Sequence, residues 1–155
     1  MKRIWTATAL AIGLAGAFCV ARAEPYETNP SAVEKDEDYA AGKKAIEAKD
    51  WSEAVKRLTI AAKRDPESAD LQNYLGYAYR NLKQFDAAFA HYKRSIELNP
   101  RHRGAHEYIG EAYLMVGDLG GAERHLAALR EICLLPCEEL TDLEKHVKDY
   151  KARPR

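Results

Sequence analysis

Several things are scarce in this chain of 155 residues, and each scarcity excludes something. Neither charge is in excess: 24 basic residues face 24 acidic ones, so no basic face is available for nucleic acid. There is no glycine-rich phosphate loop, no nucleophile elbow and no pair of histidines bracketing a glutamate, which leaves no recognisable catalytic constellation. The sequence is therefore not read as an enzyme, and it calls for no cofactor. Methionine occurs only twice, so a methionine-rich copper motif is absent. Cysteine occurs three times, too sparsely for a disulfide scaffold. Long apolar runs are also missing, with one exception at the start.

That exception runs from Ile4 to Val20, behind the basic pair Lys2-Arg3 and ahead of Ala21-Arg22-Ala23. It is short for a membrane span, and Gly13 and Gly16 dilute it. Basic start, apolar middle and small residues at the end form a secretory signal peptide, cleaved after Ala23. Residues 1–23 are thus expected to be removed, leaving an exported, periplasmic protein with no remaining span. What remains carries 21 basic and 24 acidic groups and two cysteines, Cys133 and Cys137. An even cysteine number suits an oxidising compartment. Residues 24–34 show no periodicity and contain two prolines, and they read as a flexible lead-in.

What the rest has is repetition. Gly42, Gly76 and Gly110 recur every 34 residues, as do Ala54, Ala88 and Ala122. The series Ala45, Tyr79, Tyr113 keeps that step, and so do Ala41, Leu75, Ile109 and then Leu58, Tyr92, Leu126. Trp51, Phe85 and Leu119 fall in the same register, as do Pro66 and Pro100. A fixed period of this length marks stacked supersecondary units. Small residues let two helices approach, larger ones fill the space between them, and the prolines follow helix ends. Lys49-Asp50, Lys83-Gln84 and Gly117-Asp118 are the polar turns inside each unit. The apolar spacing on either side of each turn is helical, so each unit is a pair of antiparallel helices.

Leu75-Gly76-x-x-Tyr79, followed by Ala88, Tyr92, Ser95 and Pro100, resembles the signature of the tetratricopeptide repeat family. The resemblance covers residues 35–68, 69–102 and 103–136. Asp38 stands at a usual aromatic position, and Leu134 stands where proline is expected. The implied fold is all-α: a superhelix of three helix pairs. Residues 137–151 read as a capping helix with the apolar stripe Leu140, Leu143, Val147, Tyr150, and 152–155 as a tail. In that family a partner protein or peptide lies in the groove lined by the first helix of each unit. Carried over by position, the groove here comprises Tyr39, Lys43, Asn73, Tyr77, Arg80, Asn81, Glu107 and Glu111, with Ile46 and Leu114 beside them. Mixed charge suits a partner of mixed character as well as an acidic one. Some members hold a partner's C-terminal carboxylate with Lys, Asn and Arg; here Tyr39, Tyr74, Gly104 and Tyr108 fall at several of those places, so no such clamp is expected.

The resemblance thus implies a protein-interaction module, an adaptor or assembly factor of the cell envelope. Neither a particular partner nor an oligomeric state follows from it. The other reading rests on Cys133 and Cys137 at the junction of the last unit and the capping helix. A disulfide there staples the helix on and is worth about 2 kcal/mol by loop entropy. Alternatively, a thiol near a helix start, or two soft ligands, serves redox chemistry or copper. His102 and His106 are four apart, but no third ligand is apparent and no metal site is expected. His91, His125 and His146 have no evident partners in the sequence.

Overall fold

The computed structural model describes residues 36–153. The signal peptide, cleavage site and lead-in lie outside the described residues. Seven helices follow in order: α1 Glu37–Glu47, α2 Trp51–Arg64, α3 Ala69–Asn81, α4 Phe85–Leu98, α5 Arg103–Met115, α6 Leu119–Ile132 and α7 Glu138–Lys151. Among the described residues there is no strand. Helices pack in sequence order as the pairs α1/α2, α3/α4 and α5/α6, each pair stacking on the next, and α7 closes the end against α5 and α6.

Local chemistry places the boundaries. Asp36 caps α1 by accepting from the backbone N–H groups of Asp38 and Tyr39 at 2.8 and 3.0 Å. Asp50, Ser68 and Asp118 accept in the same way from Glu53, Leu71 and Gly121. These bonds satisfy amide donors that a helix start leaves unpaired. His102 is itself a cap: its Nδ1 accepts from Ala105 N–H at 3.1 Å. The three predicted turns end their helices alike, with Lys49, Lys83 and Gly117 at φ 59, 63 and 86°. Only the third uses glycine for this left-handed position, so two lysines bear its cost.

The small-residue columns lie where helices touch. Ala54, Ala88 and Ala122 are fully buried, and so are Leu58 and Tyr92. A Cβ on Gly42 would stand 2.6 Å from the Leu58 side chain, and one on Gly76 would stand 2.6 Å from the Tyr92 ring. The third unit departs from this pattern. Gly110 meets Leu143 of α7 at 2.7 Å, so the capping helix fills that notch. Ser95 is buried and donates to the Ala69 carbonyl at 2.8 Å, tying α4 to the start of α3. Asp38, at the place of an aromatic residue, joins Asp36 in ion pairs with Arg64 and also pairs with Arg57. This charged cluster faces solvent at the end of the stack, where an apolar residue would have no neighbouring unit to cover it. Arg64 holds the Asp36 carboxyl at about 2.

The histidines do have partners. His91 stacks on Tyr79 and bonds Gln72 at 2.8 Å. His106 and His125 meet through their Nδ1 atoms at 3.0 Å, while His106 Nε2 lies 3.1 Å from the Pro100 carbonyl. A carbonyl only accepts, so His106 donates from Nε2 and its Nδ1 accepts the His125 proton. Burial, His106 and Arg124 hold the His125 ring down at about 4. The folded state therefore keeps His125 neutral in a range where the unfolded chain protonates it. Its contribution to stability is intact above about pH 6.5 and is lost as pH falls toward 4. His125→Gln, which retains a donor for His106, removes this loss. Urea unfolding of both proteins from pH 7 to 4 should show the variant gaining on the parent as pH drops; parallel curves would contradict the assignment.

Candidate interaction groove

The first helices α1, α3 and α5 lie side by side, and α7 continues the row. Their shared side carries a chain of aromatic rings. Tyr39 meets Tyr74 edge-on at 5.9 Å, and Tyr77 packs between Trp51 at 5.8 Å and Tyr108 at 5.0 Å. Exposed Lys43 sets its ammonium 5.5 Å from the Tyr39 ring centre and 5.7 Å from that of Tyr74. Asn81 donates to the Tyr77 carbonyl at 2.8 Å. The structure thus brings the predicted residues onto one side but spends several of them internally.

Arg80 is the main case. Its side chain is only 9% exposed. It pairs with Glu111, donates to the Tyr108 carbonyl at 3.3 Å, and lies over the Tyr77 and Tyr108 rings at 5.0 and 5.3 Å. The other oxygen of Glu111 takes His146 Nδ1 at 2.8 Å. Arg80, Glu111 and His146 therefore join α3, α5 and α7 across the groove floor. They brace the surface and offer little of themselves to a visitor.

Glu107 is different. It is 9% exposed, and no hydrogen bond or ion pair holds it among the described residues. Burial pushes its carboxyl up to about 8, with Glu111, Asp142 and Glu139 adding to the shift and Arg80 opposing it. Beside it lies Asn73, 5% exposed, whose amide oxygen has no hydrogen-bond partner. Both line a pocket of about 290 Å3 between α3, α5 and the start of α7. Burial and the nearby Glu107 also push the Tyr108 phenol up to about 12. Tyr74, Gly104 and Tyr108, which replace residues of a carboxylate clamp, wall this same pocket.

Glu107 and Asn73 lie on the side that the sequence period gives them, and Glu139, Asp142 and His146, which the sequence did not single out, lie beside them or beneath the groove. The signal was present: α7 follows in the register of a fourth first helix, so its polar side continues the groove. Glu138 and Glu139 also suit the first turn of α7 as favourable charges, a role that by itself accounts for acids at this place in the sequence.

At the junction, the Sγ atoms of Cys133 and Cys137 lie at disulfide distance, 2.10 Å, with Cα atoms 6.0 Å apart. They bracket Leu134 and Leu135, which are 90% and 80% exposed. His102 Nε2 contacts Asp70 at 2.9 Å, whereas His106 turns to His125, so the two do not converge. Among the described residues no three His, Cys, Asp or Glu side chains gather to hold a metal. No described helix is long and apolar enough to cross a membrane.

Comparison with known proteins agrees with this architecture. A tetratricopeptide repeat family model matches residues 39–100 and 84–133. The TPR2B domain of yeast Sti1, solved in a pHsp70 complex, is similar at 24% identity with a TM-score of 0.70, over 77% of this chain and 95% of that one. The first such domain of Spaghetti (RPAP3), bound to the HSP90 peptide SRMEEVD, matches at 23% identity and 0.62, over 72% and 88%. PcrH in complex with the chaperone binding region of PopD matches at 20% and 0.69, over 77% and 92%. At such identities these likenesses speak for the fold alone, an all-α superhelix. With repeats, helix pairs and family model all in one register, this chain belongs to the tetratricopeptide repeat family.

Proposed function

We propose that this chain is an exported, periplasmic interaction module that holds an extended segment of a partner protein along the side lined by α1, α3, α5 and α7. It works as an adaptor or assembly factor in the cell envelope, by binding and without turnover. The observation that carries this reading is the set of partly exposed rings Tyr74, Tyr77 and Tyr108, backed by buried Tyr39, with exposed Lys43 beside them. Rigid rings with polar edges supply contact area at small entropic cost and are frequent anchors of interfaces. Two of the similar structures hold a peptide or a binding region of another protein, which fits the same use.

The test is affinity capture from an envelope extract with the parent chain and with a Lys43→Glu, Tyr77→Leu double variant. Retained helicity with capture reduced at least about tenfold is the expected result. Arg80 is left untouched, because its loss would disturb the fold as well. Equal capture by both proteins removes the groove assignment.

A further inference from the structure

The lining of the pocket between α3, α5 and α7 is rich in acidic side chains and, among the described residues, contains no lysine or arginine. Glu107 projects from α5, Asn73 from α3, and Glu138, Glu139 and Asp142 stand at the start of α7. Arg103 reaches Glu139 at 3.5 Å and leaves the other acids of this group unpaired. Glu107 and Asn73 are each more than nine-tenths buried as residues, and among the described residues neither the Glu107 carboxyl nor the Asn73 amide oxygen has a bonding partner. Buried polar groups are ordinarily satisfied, and an unpaired one is costly. Tyr74 and Tyr108 add aromatic rings to the walls, and such rings tolerate a nearby cation: Lys43 already lies 5.7 Å from the Tyr74 ring centre. A metal ion does not suit the place, since no three ligating side chains gather among the described residues. A donor of several hydrogen bonds does.

We propose that this pocket is a specificity site for a basic residue, a lysine ammonium carried by the bound partner segment, held by Glu107 and Asp142 with Asn73 beside them. The proposal rests on the groove reading above and narrows it: the partner segment carries a lysine at the point where it passes the start of α7. An ammonium has three donors and no acceptor, matching the carboxylates that α5 and α7 bring to one pocket.

Protons take part in this recognition. In the empty pocket burial favours the neutral Glu107 carboxyl, and Glu111 on α5 with Glu139 and Asp142 on α7 add to that preference. Glu138 on α7 adds negative charge at the rim, whereas Arg80 on α3 and Arg103 on α5 oppose it. Tyr108, its phenol pushed up to about 12, remains neutral near pH 7. An arriving ammonium reverses the preference, so Glu107 releases its proton as the ligand enters. Binding therefore tightens as pH rises from 6 to 8.

The experiment uses the isotopically labelled full chain and N-acetyl-lysine amide as the probe, followed by NMR at the Gly104 amide, the Asn73 side-chain amide and the Glu107 carboxyl carbon. Saturable shifts at all three are expected, with the Glu107 titration midpoint falling by about one unit. N-acetyl-norleucine amide, equal in shape and uncharged, produces none of them. Glu107→Gln weakens the response at least about tenfold and folds normally, because the parent carboxyl is already largely protonated at neutral pH. No response to the lysine probe, an equal response to norleucine, or saturation by calcium chloride alone overturns the proposal. The probe needs no partner, so a silent pocket alongside intact, groove-dependent capture refutes this inference only. A responsive pocket with capture indifferent to Lys43 and Tyr77 refutes the groove reading instead.

Discussion

Arg80→Met destabilises the fold by about 3–5 kcal/mol, read as a lowered urea midpoint with an unchanged slope. The reason is what stays behind. Glu111 keeps a side chain only 17% exposed and loses the guanidinium that pairs with it, while the Tyr108 carbonyl loses a donor. The contact to His146 at 2.8 Å softens the loss without replacing it, because that imidazole is nearly half exposed and charged only when protonated. Methionine fills much of the arginine stem's volume, so the change reports the charge pair more than a cavity. Removing both members is cheaper than removing one, since a buried pair roughly breaks even against an apolar replacement. Arg80→Met with Glu111→Leu should therefore recover most of the loss, a coupling of more than about 1 kcal/mol in a double-mutant cycle. A single-variant cost below about 1 kcal/mol would mean that the pair is solvated and does not brace the groove.

This result bears on how the groove was legible from sequence. The period places Tyr39, Asn73 and Glu107 on one side of the stack, since they follow one another at the step that Gly42, Gly76 and Gly110 reveal. Periodicity says which helix face a residue occupies. It does not say what a neighbouring helix supplies to meet it. Arg80 finds Glu111 31 positions later, and Glu111 finds His146 on the capping helix; neither pairing leaves a trace in local spacing. The same limit hid the His106–His125 contact, where two rings on α5 and α6 meet across one pair. Turns were readable because polar dipeptides interrupt the apolar pattern. The left-handed lysines within them were not, since lysine carries no preference for that conformation. α7 was legible as a helix and as a cap. Its acids suit a helix start, and nothing in the sequence shows the pocket beside them.

The glycine column makes a sharper demand than the charges, and Gly76→Ala tests it. On an isolated helix this change gains up to about 1 kcal/mol. Here it should cost about 1–3 kcal/mol net, an inversion of sign imposed by packing. The new Cβ would lie 2.6 Å from both Cδ1 and Cε1 of Tyr92 and 2.9 Å from its Cγ. That ring is fully buried, with Tyr108 behind it at 6.5 Å, so it has no room to withdraw. Separation of α3 from α4 is the remaining escape, and it opens the Ala88 contact at the heart of the unit. Gly120→Ala is the matching control: its Cβ would come no closer than 3.5 Å to Asp118, and the substitution should be neutral or stabilising by up to about 1 kcal/mol. Tyr92→Leu added to Gly76→Ala should cost less than the sum of the two changes, because the smaller side chain yields the space that the methyl group needs. If Gly76→Ala instead matches Gly120→Ala in thermal stability, the two helices are not in close contact at this notch, and the stacking on which the groove depends is wrong at its centre.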